Sequence, residues 1–384
     1  MHRSTDRFLT THTGSLPRPD DLVRTMFAKE EGVPIDAAAL ASRVRAAVGE
    51  VVRKQIAAGV DIVNDGEVSK PGYASYIKDR ADGFGGESKP HTNFKDLSEF
   101  PTLLKRQFGD DPGRSRRNVP ACNAPIRSRG IEAAEADIAN LEAATAGADV
   151  AGTFMSAAGP GVVAYFFRNQ YYRTHEEYLH AIGAALQPEY EAIAAAGYTL
   201  QIDCPDLAAN RQVEFADRPL ADFRKDIATR IEVLNHVTRN IAPEQMRLHL
   251  CWGNYEGPHH HDVPLADIID LVFTARPAGL SFEAANPRHA HEWALFETVK
   301  VPDGKVLYPG VLESKGNFIE HPELVAQRIG RYARLVGREN VIAGTDCGYG
   351  TWVGQAAVEP DIVWAKLAVM AEGARLASKE FWGK

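Results

Sequence analysis

The sequence predicts a (β/α)8 barrel. Eight short apolar runs of strand character alternate with helix-like segments, and nearly every unusual polar cluster falls at or just after the end of a strand. At 384 residues with 45% hydrophobic content the chain can bury a large core, and barrels with insertions reach this length. An open doubly wound sheet is the alternative arrangement of the same elements.

Residues 8–13 supply the first strand, which runs into Gly14-Ser15. An alanine-rich helical stretch over about 36–58 leads to a buried-strand pattern at 59–64, and Asp65-Gly66-Glu67 follows. Residues 78–128 break the alternation. They are rich in Gly, Pro, Arg and Asp and read as a long insertion over the barrel mouth, within one catalytic barrel spanning 1–384. Strands at 150–157 and 197–203 come next, the second after a helix around 175–195. Those at 246–252, 279–283, 305–312 and 340–346 leave room for one helix between each pair.

The most informative residues are His249 and Cys251. Two apart on a strand, they share a face and can reach one metal ion. Glu283 and Cys347 stand at two later strand ends. Thiolate, imidazole and carboxylate together suit zinc better than magnesium or calcium. A free thiol has a pKa of about 8.5, and zinc removes its proton while leaving a sulfur able to attack carbon. Two cysteine ligands favour sulfur alkylation over hydrolysis, which more typically uses His-rich or His/carboxylate shells.

Composition excludes other classes. A net charge of −8 gives no electrostatic case for nucleic acid or an anionic membrane surface, and no apolar run approaches the roughly 20 residues of a membrane span. The start lacks a secretory apolar core, and the four cysteines show no disulfide spacing, so a reducing cytoplasm is expected. His259-His260-His261 reads as an exposed loop after the fifth strand. His289 and His291 read as surface residues at a helix start, or as partners behind Glu283. Arg114-Ser115-Arg116-Arg117 reads as a solvated charge run.

Thr13-Gly14-Ser15-Leu16-Pro17, Asp65-Gly66-Glu67, Gly159-Pro160, Gln201-Ile202-Asp203, His249-Leu250-Cys251, Glu283 and Asp346-Cys347-Gly348 together resemble the catalytic C-terminal barrel of cobalamin-independent methionine synthase, along nearly the whole chain. That family's zinc ligands, one His, one Glu and two Cys, fall here on His249, Glu283, Cys251 and Cys347. The resemblance further implies that Ser15 lies near the carboxylate of homocysteine, with Glu67 and Asp203 around its ammonium. Two carboxylates attract an ammonium and repel a sulfonate. Short relatives in the family include epoxyalkane:coenzyme M transferases, which activate a different thiol with the same metal.

Three positions depart from the methionine synthase pattern. Cys204 replaces the acid that usually follows Asp203. Lys315 stands near the place of a histidine that assists methyl transfer. Residues 159–168 carry Tyr165, Phe166 and Phe167 but not the tryptophan that stacks on folate. The expectation is a zinc-dependent thiol alkyltransferase that methylates homocysteine or a related amino-thiol, its partners being that thiol and an alkyl donor. Epoxide opening by coenzyme M, with Lys315 holding the sulfonate, is the alternative chemistry. A zinc- and thiol-binding protein without turnover is the alternative of another class.

Overall fold

A computed structural model describes residues 1–86, 94–106, 119–355 and 357–383. Its strands are β1 (Ile62–Val63), β2 (Ala81–Gly86), β3 (Ala121–Ser128), β4 (Gly152–Ala158), β5 (Thr199–Asp203), β6 (Met246–Leu250), β7 (Gly279–Phe282), β8 (Val306–Leu312) and β9 (Gly344–Thr345). Seven form one parallel sheet in the order β1-β4-β5-β6-β7-β8-β9. Residues 8–13 join its two edges. Thr10 O accepts from Asp61 N and Ile62 N beside β1, while Thr11 N donates to Ala343 O and Ala343 N to Leu9 O beside β9. The sheet thus closes with an eighth extended segment, as a barrel and not as an open doubly wound sheet.

Helices cover the outside for local reasons. Asp36 caps Ala37–Ala57 by accepting from Ala38 N and Ala39 N, and Thr174 with Glu177 forms a capping box on His175–Ala195. Pro322–Val336 buries Val325, Ile329, Tyr332 and Ala333, a helical stripe facing the strands. Register then sets the site. Asp203 pairs with His249, and His249 with Ser281, so β5, β6 and β7 reach the same level at their C-terminal ends.

The barrel centre is partly polar. Buried Arg247 on β6 donates to Gln201 Oε1 (2.7 Å), Thr11 Oγ1 (3.2 Å) and His12 O (2.7 Å), with its guanidinium 3.7 Å from the Phe154 ring centroid.

The expected insertion contains more regular structure than its composition suggests. β2 and β3 pair antiparallel, with irregular register, and two one-turn helices follow β2 at Lys95–Ser98 and Pro101–Leu104. Phe94 packs its ring 4.4 Å from that of Tyr255, in the loop after β6, which seats this segment at the C-terminal end of the barrel. The run Arg114-Ser115-Arg116-Arg117 lies outside the described residues. Among the described residues no helix is long and apolar enough to cross a membrane.

Candidate metal centre

The predicted ligands converge at the C-terminal strand ends. His249 closes β6 one residue before its end, Cys251 lies just beyond that strand, Glu283 directly follows β7, and Cys347 lies two residues past β9. All four are buried. The donor atoms of His249, Cys251 and Cys347 lie within 4.8 Å of one another. Cys347 Sγ is 3.8 Å from His249 Nε2 and 3.6 Å from Glu283 Oε1. Bonds of about 2.3 Å to sulfur and about 2.0 Å to nitrogen or oxygen in a tetrahedron place such donors about 3.5 Å apart. The observed spacings therefore suit a zinc ion. Glu283 approaches through Cys347 and stands outside the close trio, reaching it by a single edge.

Charge around the trio is arranged for a cation. Cys251 is pushed down to about 5 by the hydrogen bond from Cys347, against the effect of burial, with His249 also lowering it. Burial pushes the Cys347 thiol up, and its contact with Cys251 adds to this. Burial alone would raise Glu283, but the Lys315 ammonium, with His259 and His289, holds it down to about 2. Lys315 Nζ lies 3.0 Å from Glu283 Oε2 and is itself buried. Lys315 is thus committed to Glu283 and 3.4 Å from His259 Nε2.

The second constellation lines the same cavity. Ser15, Glu67 and Asp203 line one cavity together with His249, Cys251 and Cys347. Two glycines make this approach possible. A Cβ at Gly14, whose φ is +130°, would fall 2.3 Å from Glu67 Oε1, and one at Gly348 would fall 2.0 Å from Ser15 Oγ. Glu67 itself has φ 55°, a left-handed conformation uncommon outside glycine. The turn is held by Asp65 Oδ1 accepting from Glu67 N and by Arg18 Nη2 donating to Glu67 O. Gln201 Nε2 donates to Asp203 Oδ1 at 2.7 Å. Burial, then the charge of Glu67, pushes Asp203 up to about 7. His249 Nδ1 and Glu67 Oε2 are buried without a hydrogen-bond partner. Such atoms are costly when left unsatisfied, and a cationic group bound in the cavity would satisfy Glu67 Oε2.

Several participants were not singled out from the sequence. Tyr73, Asn254 and Thr351 also line the cavity. Tyr73 and Phe166 meet Trp352 edge-on at 5.9 and 5.3 Å, so an indole from the loop after β9 stands beside the 159–168 segment. Two readings need correction. His259 is buried, its Nδ1 2.7 Å from Asp262 Oδ2, and is not part of an exposed loop. His289 is buried too, stacked on Trp252 at 3.9 Å and bridging Asp262 and Glu292. Both were drawn inward by the buried Asp262 carboxylate. His260 and His261 remain partly exposed, and His291 is exposed.

The fold and the cluster define a (β/α)8 barrel with a thiol-rich candidate cation site at its C-terminal mouth. No family model matches the chain. Curated relatives do. A 5-methyltetrahydropteroyltriglutamate--homocysteine methyltransferase of Streptomyces avermitilis is 23% identical over 369 residues, covering 95% of this chain and 42% of the relative. A methionine synthase of Saccharolobus islandicus (strain L.S.2.15) is 22% identical over 375 residues, 97% of this chain and 95% of that protein. A methionine synthase of Thermococcus kodakarensis matches over 58% of this chain and 56% of its own length, so the chain spans about half of two of these relatives. The fold is that of the B12-independent methionine synthase from Shewanella sp. W3-18-1, with a TM-score of 0.76 at 17% identity over 98% of this chain and 100% of that one. A putative vitamin-B12 independent methionine synthase from Listeria monocytogenes gives 0.64 at 16% identity, covering 99% of both. The resemblance carried by the motifs therefore extends through the sequence and the fold.

Proposed function

We propose that this chain is a zinc-dependent S-methyltransferase acting on homocysteine or a related amino-thiol. The observation that carries the reading is one cavity with two chemically different sets of side chains, a His/Cys/Cys cluster edged by Glu283 and, sharing the same lining, the buried acids Glu67 and Asp203. The names of the relatives add methyl transfer to homocysteine and methionine formation.

His249, Cys251, Cys347 and Glu283 would hold the zinc, which when bound ionises a thiol and keeps its sulfur nucleophilic. Glu67 and Asp203 receive the substrate ammonium, and Gln201 fixes the Asp203 carboxylate toward it. Ser15, close against Gly348, is placed to meet the carboxylate end. Lys315 neutralises and orients the outer oxygen of Glu283, while Asn286 Nδ2 donates to the same oxygen at 3.1 Å. Asp346 pins the loop after β7 by accepting from the backbone N–H groups of Ala284, Ala285 and Asn286. The methyl donor would approach past Tyr73, which lines the cavity and meets Phe166 and Trp352 edge-on.

The coenzyme M alternative needs a cation free to hold a sulfonate. The pairing of Lys315 with Glu283, and two acids lining the cavity, count against it. The test is a panel of thiols offered with methyl-folate, methylcobalamin and simple epoxides, read by mass spectrometry of the thioether. Methionine from homocysteine supports the proposal. A coenzyme M adduct, or thiol binding with no product from any donor, overturns it.

A further inference from the structure

A second group of metal-ligating side chains lies outside the thiol cavity. Glu99, in the insertion, faces His260 and His261, in the loop after β6. His260 Nε2 is 2.8 Å from Glu99 Oε2 and His261 Nε2 is 2.6 Å from Glu99 Oε1. The three donor atoms lie within 4.8 Å of one another, and the imidazole centroids are 4.2 Å apart. These side chains are 32–45% exposed, open to exchange with solvent yet converging on one point.

Two successive residues turn toward one carboxylate because the backbone before them is bent. His259 has φ 55°, a conformation that persists in a non-glycine residue only where its surroundings enforce it. Here the His259 ring is stacked on Tyr255 and bonded to Asp262, and its backbone N–H donates to Asp96 Oδ2 at 2.8 Å. Asp96 also accepts from Tyr255 Oη at 2.6 Å and lies on the Lys95–Ser98 turn immediately before Glu99. One buried carboxylate therefore holds the bent loop and sets Glu99 against the two imidazoles. Hydrogen bonds from His261 and His260 lower the pKa of Glu99, which keeps it in the ligand form.

We propose that Glu99, His260 and His261 form a second, exchangeable site for a divalent transition metal, zinc in the first instance, separate from the buried thiol centre. Two imidazoles and a carboxylate suit zinc, nickel or copper over magnesium or calcium, and three protein donors leave a position for water. Each imidazole binds as the neutral ring, with its proton on Nδ1. The metal replaces the two imidazole–carboxylate hydrogen bonds with coordinate bonds, and so straps the 94–104 segment to the loop after β6. Occupancy would hold residues 94–104 against that loop without touching a residue of the thiol site.

Zinc binding to tag-free protein tests this by chelator competition near neutral pH. The expected result is two zinc ions per chain, one held tightly and one exchanging readily. Glu99→Gln, which keeps a hydrogen bond to histidine, should weaken the exchanging ion at least about tenfold and spare the tight one. His260→Ala and His261→Ala should do the same. Zinc should also slow backbone hydrogen exchange in 94–104 in the natural protein and not in Glu99→Gln. Cys251→Ser separates the two sites, since it should remove the tight ion and keep the exchanging one. Absence of a second zinc, or a second zinc equally strong in all three surface variants, would overturn the proposal and leave the thiol centre unaffected.

Discussion

The two buried thiols are under opposite pressures. The hydrogen bond from Cys347 lowers Cys251, while burial raises Cys347, so the pair retains a proton that a cation would displace. Replacing either cysteine with serine removes a soft donor at little change in volume. Elemental analysis of Cys251→Ser and Cys347→Ser should show loss of the tight zinc with an unchanged circular dichroism spectrum; full zinc content in both would remove the thiol-centre assignment. In the same cavity, Glu67→Gln and Asp203→Asn should weaken homocysteine binding by about 1.5–3 kcal/mol each, the usual worth of a hydrogen bond to a charged group. Calorimetry would read this, and unchanged affinity in both would mean the ammonium sits elsewhere. The convergence of His249 and Cys251 with Glu283 and Cys347 was legible because strand ends and period-two spacing put the first two on one face. The partner of Lys315 was not, since its ion pair with Glu283 joins residues 32 apart, just beyond the ends of the paired strands β7 and β8. Nor was the burial of His259 and His289, which depends on Asp262 and on stacking against Tyr255 and Trp252.

Elements were legible where the hydrophobic pattern was strong, and their lengths were less so. The runs at 59–64 and 340–346 both read as full strands, yet β1 and β9 are two residues each. Much of the remaining hydrogen bonding in those runs goes to residues 8–13 and to Leu307, outside a continuous ladder. The antiparallel ribbon of β2 and β3 gave no period-two signal, because Ala-Asp-Gly-Phe-Gly-Gly is turn-like in composition. Gly83 adopts φ +101°, with the position of a Cβ 2.9 Å from Ala124 O. At the turn after β1, burial raises Asp65 to about 6 in the folded protein, against about 3.9 unfolded. The folded state then holds this proton longer, so stability present below about pH 4 is lost as pH rises toward 6. Asp65→Asn should lack that slope. Urea unfolding at pH 4 and 7 should show the difference between the two proteins changing by about 1–3 kcal/mol, with the natural protein losing ground at the higher pH. A constant difference would mean the carboxyl titrates normally. Thr174→Ala should cost about 1 kcal/mol through loss of the capping box on His175–Ala195.

At the scale of the molecule, closure and chemistry meet in Arg247. Its guanidinium ties β6 to Gln201 on β5 and to Thr11 and His12 on the closing segment. Burial lowers its pKa to about 10, so it remains charged at neutral pH. Gln201 passes the connection onward, donating to Thr13 O and to Asp203 Oδ1. The residue that locks the first strand into the barrel therefore also orients, through Gln201, an acid of the proposed substrate pocket. Period-two spacing puts Arg247 on the face of His249 and Cys251, but its partners on β5 and on the closing segment lie 46 and 235 residues away and cannot be read from the local sequence. Arg247→Lys keeps the charge but lacks the planar fork, so it cannot reach three acceptors in these directions. It should destabilise the protein by about 2–4 kcal/mol, from unpaired acceptors and a less well satisfied buried charge. If the connection through Gln201 operates, the same variant, studied where it remains folded, should bind homocysteine more weakly while retaining its tight zinc. Lost stability with unchanged thiol affinity would separate the barrel tie from the proposed substrate pocket, and unchanged stability would refute the tie itself.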